Sequence, residues 1–124
     1  MGQSAGITAS RAWHASSQVT CATACTACAD ACLDEDSVAD LRQCIRADLD
    51  CSDLCATTAS FVARRPVDRT VLRLLLEACA EACARCAEEC ERHADMHEHC
   101  RLCAEACRTC EEACQALLAV IPAD

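Results

Sequence analysis

Cysteine recurs along this chain in steps of four, three and four residues. Cys21, Cys25, Cys28 and Cys32 form one such set, Cys79, Cys83, Cys86 and Cys90 a second, and Cys103, Cys107, Cys110 and Cys114 a third, with Cys100 three residues ahead of the last. At about 100° per residue each quartet stays inside an arc of about 60° on an α-helix, so each segment carries a single stripe of thiols. A strand, with its period of two, cannot keep these steps on one face. A fourth segment repeats the register with one replacement: Cys44, Asp48, Cys51 and Cys55, a carboxylate standing in the second place. Four equivalent stripes predict four helices.

The rest of the composition agrees. Trp13 and Phe61 are the only aromatic residues and there is no Tyr, which argues against a sheet-rich fold. The breaks fall between the stripes. Asp34-Glu35-Asp36-Ser37 separates the first two, and Ser37 with Asp40 reads as a capping-box-like start for a helix of about 37–63. Arg64-Arg65-Pro66-Val67-Asp68 interrupts the chain again, Pro66 pushing its predecessor out of helical geometry and Asp68 offering a cap for a helix of about 69–92. A polar turn from His93 to Glu98 precedes a helix of about 98–119, which Pro122 ends. The first helix is placed at about 10–33, after a flexible N-terminus of residues 1–9, and residues 10–122 form one domain.

Short connections make consecutive helices antiparallel neighbours. The expected fold is therefore all-α, an up-down-up-down four-helix bundle with a Cys-lined core. Glu81, Arg85, Glu88 and Glu89 fall off the stripe, as do Glu105, Arg108, Glu111 and Glu112, so charge faces outward and sulfur inward. The stripe also has a direction. At one end it continues as Val62, Leu72, Leu75, Leu118 and Ile121, an aliphatic plug. At the other it brings Cys32, Cys44, Cys90 and Cys100 toward His93, Met96, His97 and His99, and this end reads as a mouth.

Charge and compartment narrow the functions. A net charge of -9 argues against nucleic acid or an anionic membrane as a partner. With neither a signal-peptide pattern nor a run of about 18 apolar residues, the expectation is the reducing cytosol, where thiols stay free unless a metal takes them. No nucleophile, base and orienting group stand together, so no catalysis is expected.

Thiolates with a little imidazole and thioether select soft ions, Cu(I) and then Zn(II) or Cd(II). Charge separates them. If each Cu(I) took two private thiolates, sixteen Cys would hold about eight ions, each site keeping a net negative charge in a dry core. Bridging thiolates at about one Cu(I) per Cys neutralise the core, so a load well above eight is expected. Alternatives stand beside this one. Cys90-x9-Cys100 has the spacing of a twin-Cys helical hairpin, and Cys21-x3-Cys25-x2-Cys28 that of a radical-enzyme iron–sulfur loop. A zinc or cadmium buffer or a redox carrier would use the same residues. Asp48 is either a ligand or hydrogen-bonding neighbour in the core, or a surface ion pair through a shifted register. His93, His97 and His99 are either ligands or a solvated turn, and His14 extends the first stripe at the plugged end.

The three Cys-x3-Cys-x2-Cys-x3-Cys helices, the Cys44-x3-Asp48-x2-Cys51-x3-Cys55 variant and the His93/His97/His99-Cys100 turn together resemble the bacterial cytosolic copper storage proteins, over about residues 14–119. The resemblance implies a four-helix bundle filled with many Cu(I) ions, copper entering near the His-rich end, and assembly as a homotetramer. Carried over residue by residue, it makes all sixteen Cys core ligands, and Asp48, His93, His97 and His99 accessory ones. Trp13 and His14 depart from it, occupying a stretch where more of the Cys pattern would be expected.

Overall fold

A computed structural model describes the backbone of residues 2–64 and 68–122 and, from Ala15 onward, the side chains. Helix α1 spans Gly2–Leu33, a 3-10 turn covers Val38–Leu41, α2 spans Arg42–Ala63, α3 spans Arg69–Glu91 and α4 spans Glu98–Val120. There is no strand among the described residues. Each helix lies side by side with two neighbours, α1 and α3 both against α2 and α4, while diagonal helices meet through side chains across the core, Cys25 of α1 with Cys86 of α3 and Cys55 of α2 with Cys110 of α4. Cys28 near the end of α1 meets Cys100 at the start of α4, and Cys44 at the start of α2 meets Cys90 at the end of α3. Consecutive helices therefore run antiparallel, giving the up-down-up-down bundle.

Three helix starts differ from expectation or carry its cap. Helix α1 begins at Gly2 and not near residue 10. No Pro interrupts it, and adding turns to an existing helix costs far less than nucleating one. Before α2 the first turn is 3-10, and Ser37 makes no side-chain cap bond because its backbone (φ -88°, ψ 27°) is not in the extended conformation a capping Ser needs. Before α3, extended Asp68 does cap, its Oδ1 accepting from the Val71 N–H at 3.0 Å. The break expected at Pro66 and the side chain of His14 lie outside the described residues. At the far end of α4, Ile121 turns extended ahead of Pro122, and Arg73 of α3 donates to the carbonyls of both at 3.1 Å.

The plug differs from the expectation at three residues. Leu76 is fully buried, with Leu72, Val62 and Leu117 also buried, whereas Leu75, Leu118 and Ile121 are only half-buried. A helix of 3.6 residues per turn places Leu75 and Leu76 about equally far from the centre of the stripe. Strict alternation of steps of four and three separates them, because it runs 72, 76, 79, 83, 86, 90 and passes through Leu76. That period is 3.5, the seam of helices packed as in a coiled coil, and the bundle follows it. Leu76→Ala is expected to cost about 2–5 kcal/mol in urea unfolding of the metal-free protein. An unchanged midpoint would place Leu76 outside the core.

Candidate metal centre

The seam delivers every thiol to one interior. All sixteen cysteines are free, and none is more than 1% exposed. Their sulfurs form a continuous column. From the mouth, Cys44 meets Cys90 at 3.5 Å and Cys103 meets Cys25 at 3.7 Å; Cys25 meets Cys107 at 3.6 Å. Farther in, Cys51 meets Cys83 at 3.7 Å, and Cys55 meets Cys83, Cys79 and Cys110 at 3.6, 3.7 and 3.8 Å. A disulfide needs sulfurs about 2.05 Å apart. A soft ion with metal–sulfur bonds of about 2.3 Å holds the sulfurs of a trigonal or tetrahedral site about 3.8–4.0 Å apart, and the column already has that spacing.

Sets of four ligand atoms that one ion can bridge overlap. Cys21 and Cys51 belong both to a set with Cys55 and Cys83 and to a set with Cys25 and Cys107; Cys25 and Cys107 recur with Cys86 and Cys103. Cys55 and Cys83 recur with Cys79 and Cys110. Neighbouring sites therefore compete for the same sulfurs unless the sulfurs bridge.

Asp48 is inside this column and not on the surface. It is fully buried, its Oδ1 accepting from the thiols of Cys86 (3.1 Å), Cys103 (3.3 Å) and Cys90 (3.5 Å), and its Oδ2 from that of Cys44 at 4.0 Å. Burial first, then the sulfurs of Cys103 and Cys44, push its carboxyl up to about 8. The carboxyl group is therefore largely protonated at neutral pH, which answers the cost of an unpaired buried charge. Burial likewise pushes the Cys32 thiol up to about 12 and raises Cys100. Such thiols bind metal only by giving up their protons.

The histidines divide. His99 points its Nδ1 at Cys28 (3.5 Å), Cys100 (3.6 Å) and Cys32 (3.9 Å), and these four form one ligand set at the mouth. His97 places its Nδ1 against the carboxylate of Glu35, and His93 its Nε2 3.5 Å from that of Glu89. The Met96 side chain faces outward, 70% exposed. At the opposite end Gln18, fully buried, donates from Nε2 to Cys114 Sγ at 3.4 Å, while its Oε1 has no hydrogen-bond partner. Sequence reasoning passed over Gln18 and Glu35. Gln18 lay within reach, because the next step of three backward from Cys21 lands on it. Nothing in the spacing marks Glu35, whose neighbours come from the other end of the chain.

A closed helical bundle whose interior is one column of overlapping thiol sites defines a protein that holds many metal ions at once. Comparison with known proteins agrees: the family model for copper storage proteins, Csp, matches residues 8–119, and the chain belongs to that family. A cytosolic copper storage protein from Streptomyces lividans, solved during copper loading with five coppers, is 54% identical and superposes with a TM-score of 0.91, covering 95% of this chain and 99% of that one. The copper storage protein Ccsp of the same organism, loaded with 10 copper equivalents, is 58% identical with a TM-score of 0.86, over 89% of this chain and 84% of that one. The cysteine-rich protein YhjQ of Bacillus subtilis (strain 168) is 37% identical over 86 residues, 69% of this chain and 75% of its own length.

Proposed function

We propose that the protein stores Cu(I) in the cytosol by filling its column of thiolates with many ions, without catalytic turnover. The observation that carries this reading is the overlap of the ligand sets. Private tetrahedral Zn(II) sites would use four thiolates each and leave every site doubly negative, whereas shared thiolates with one monovalent ion apiece leave the interior neutral. The family's storage role and the copper held by the Streptomyces proteins support the same choice. Among the described residues no helix is long and apolar enough to cross a membrane.

In this reading all sixteen Cys are ligands and Asp48 supplies an oxygen within the column. The mouth lies at His93, His97 and His99, where His99 hands ions to Cys28, Cys32 and Cys100. The homotetramer implied by resemblance and the single domain over residues 10–122 belong to the same proposal. The test is competition. Reduced metal-free protein offered Cu(I) and Zn(II) together is expected to retain copper alone after gel filtration; a zinc-filled protein would reverse the assignment. His99→Ala is expected to slow the first phase of Cu(I) transfer from a chelator several-fold while changing the final load little. An unchanged rate would move the way in elsewhere.

A further inference from the structure

One carboxylate at the mouth faces two imidazoles. Glu35, in the turn that follows α1, sets its Oε2 against Nδ1 of His97 and 3.8 Å from Nε2 of His99. The two rings stack, their centroids 5.2 Å apart and their planes 26° from parallel. His99 Nε2 is buried without a hydrogen-bond partner, while His99 Nδ1 looks into the thiols of Cys28, Cys32 and Cys100.

An ionised carboxylate only accepts, so a nitrogen that faces it carries the proton. A neutral imidazole has one such proton, and placing it on one nitrogen frees the lone pair of the other. The Glu35 oxygen faces the δ nitrogen of one ring and the ε nitrogen of the next. It therefore asks for opposite tautomers from two neighbours.

We propose that Glu35 is the positioning residue of the mouth: by facing His97 Nδ1–H and His99 Nε2–H it fixes the rings in opposite tautomers, leaving His97 Nε2 and His99 Nδ1 as two lone pairs on the way to Cys28, Cys32 and Cys100. A soft monovalent cation meets nitrogen donors that need no prior proton loss, ahead of thiols that do. Carboxylates that hold the far nitrogen of a metal-binding imidazole orient the ring and raise its basicity in the same way. The inference rests on the mouth being where copper enters, and it extends that reading to a residue that touches no thiol. His97 is the more telling ring, because free imidazole in histidine favours the Nε2–H form and Glu35 must reverse that preference.

The experiment uses the full chain, reduced, metal-free and nitrogen-15 labelled, in alkaline buffer. Long-range proton–nitrogen correlation spectra report each tautomer directly. His97 is expected as Nδ1–H and His99 as Nε2–H. Glu35→Ala should return His97 to Nε2–H, whereas Glu98→Ala, which removes an acid at the start of α4 paired with Arg101, should leave both rings as they were. A wild-type His97 already in the Nε2–H form, or a switch produced equally by Glu98→Ala, overturns the proposal. The second readout is Cu(I) transfer from a chelator, which Glu35→Ala should slow several-fold with little change in final load. A tautomer switch with an unchanged rate overturns the role in uptake. If His99→Ala also leaves the rate unchanged, the failure is that of the mouth itself, and the tautomer result stands apart from it.

Discussion

Cu(I) titrated into reduced, metal-free protein against a competing chelator is expected to saturate well above eight ions per chain and close to sixteen. The number follows from charge in a sealed interior. Sixteen buried thiols, once ionised, confront a core that excludes water, and each uncompensated charge there costs several kcal/mol. One monovalent ion per thiolate removes the excess, and the sulfur contacts of 3.5 to 4.0 Å let each thiolate reach two ions without moving the helices. His99 and Asp48 add donors beyond the sulfurs, so the endpoint can slightly exceed the count of Cys. Loading should release protons in step, because thiols such as Cys32, pushed up to about 12, enter the reaction protonated. Apparent affinity therefore rises with pH. Saturation at four or fewer ions would mean isolated sites and would reject the bridged column.

The second large effect concerns Asp48 without copper. Its carboxyl stands at about 8 in the folded protein against 3.8 in an ordinary setting, raised mainly by burial. Between those values the native state keeps a proton that the unfolded chain gives up. The contribution of Asp48 to native stability is therefore fully present below about pH 4 and is lost as pH rises toward 8, at about 1.4 kcal/mol for each pH unit. Across the window this amounts to on the order of 5 kcal/mol. Asp48→Asn keeps an oxygen for the thiols of Cys86 and Cys103 but cannot ionise, so its stability should be flatter with pH and should exceed that of the parent at pH 8.5. Urea midpoints of both metal-free proteins at pH 4.5 and 8.5 decide it. The thiols titrate in both, so the difference reports the carboxyl together with its coupling to them; parallel curves would show that Asp48 does not sit protonated among them.

Much of the chemistry was legible before folding. Cys51 and Cys55 shared a face with Cys44 by spacing alone; Asp48 stood in the same register, but spacing left it open between the core and a surface ion pair, and its burial decides for the core. The plug was legible as a region but not residue by residue. Leu75 and Leu76 are nearly tied at 3.6 residues per turn, and only the 3.5 period imposed by packing against three other helices resolved them. Ser37 had the composition of a cap, and its backbone conformation denied it the role.

The sequence by itself determined four helices, the face each one buries, and the softness of the donors on that face, because periodicity and side-chain chemistry are local properties of the chain. Tertiary structure alone decided which sulfurs become neighbours, that Cys21 and Cys51 can serve two sites at once, and that Glu35 meets His97 and His99 from the opposite end of the chain. Those facts depend on how the helices are staggered and turned against one another. Spacing along a helix fixes the direction of a side chain but carries no information about what lies across the gap.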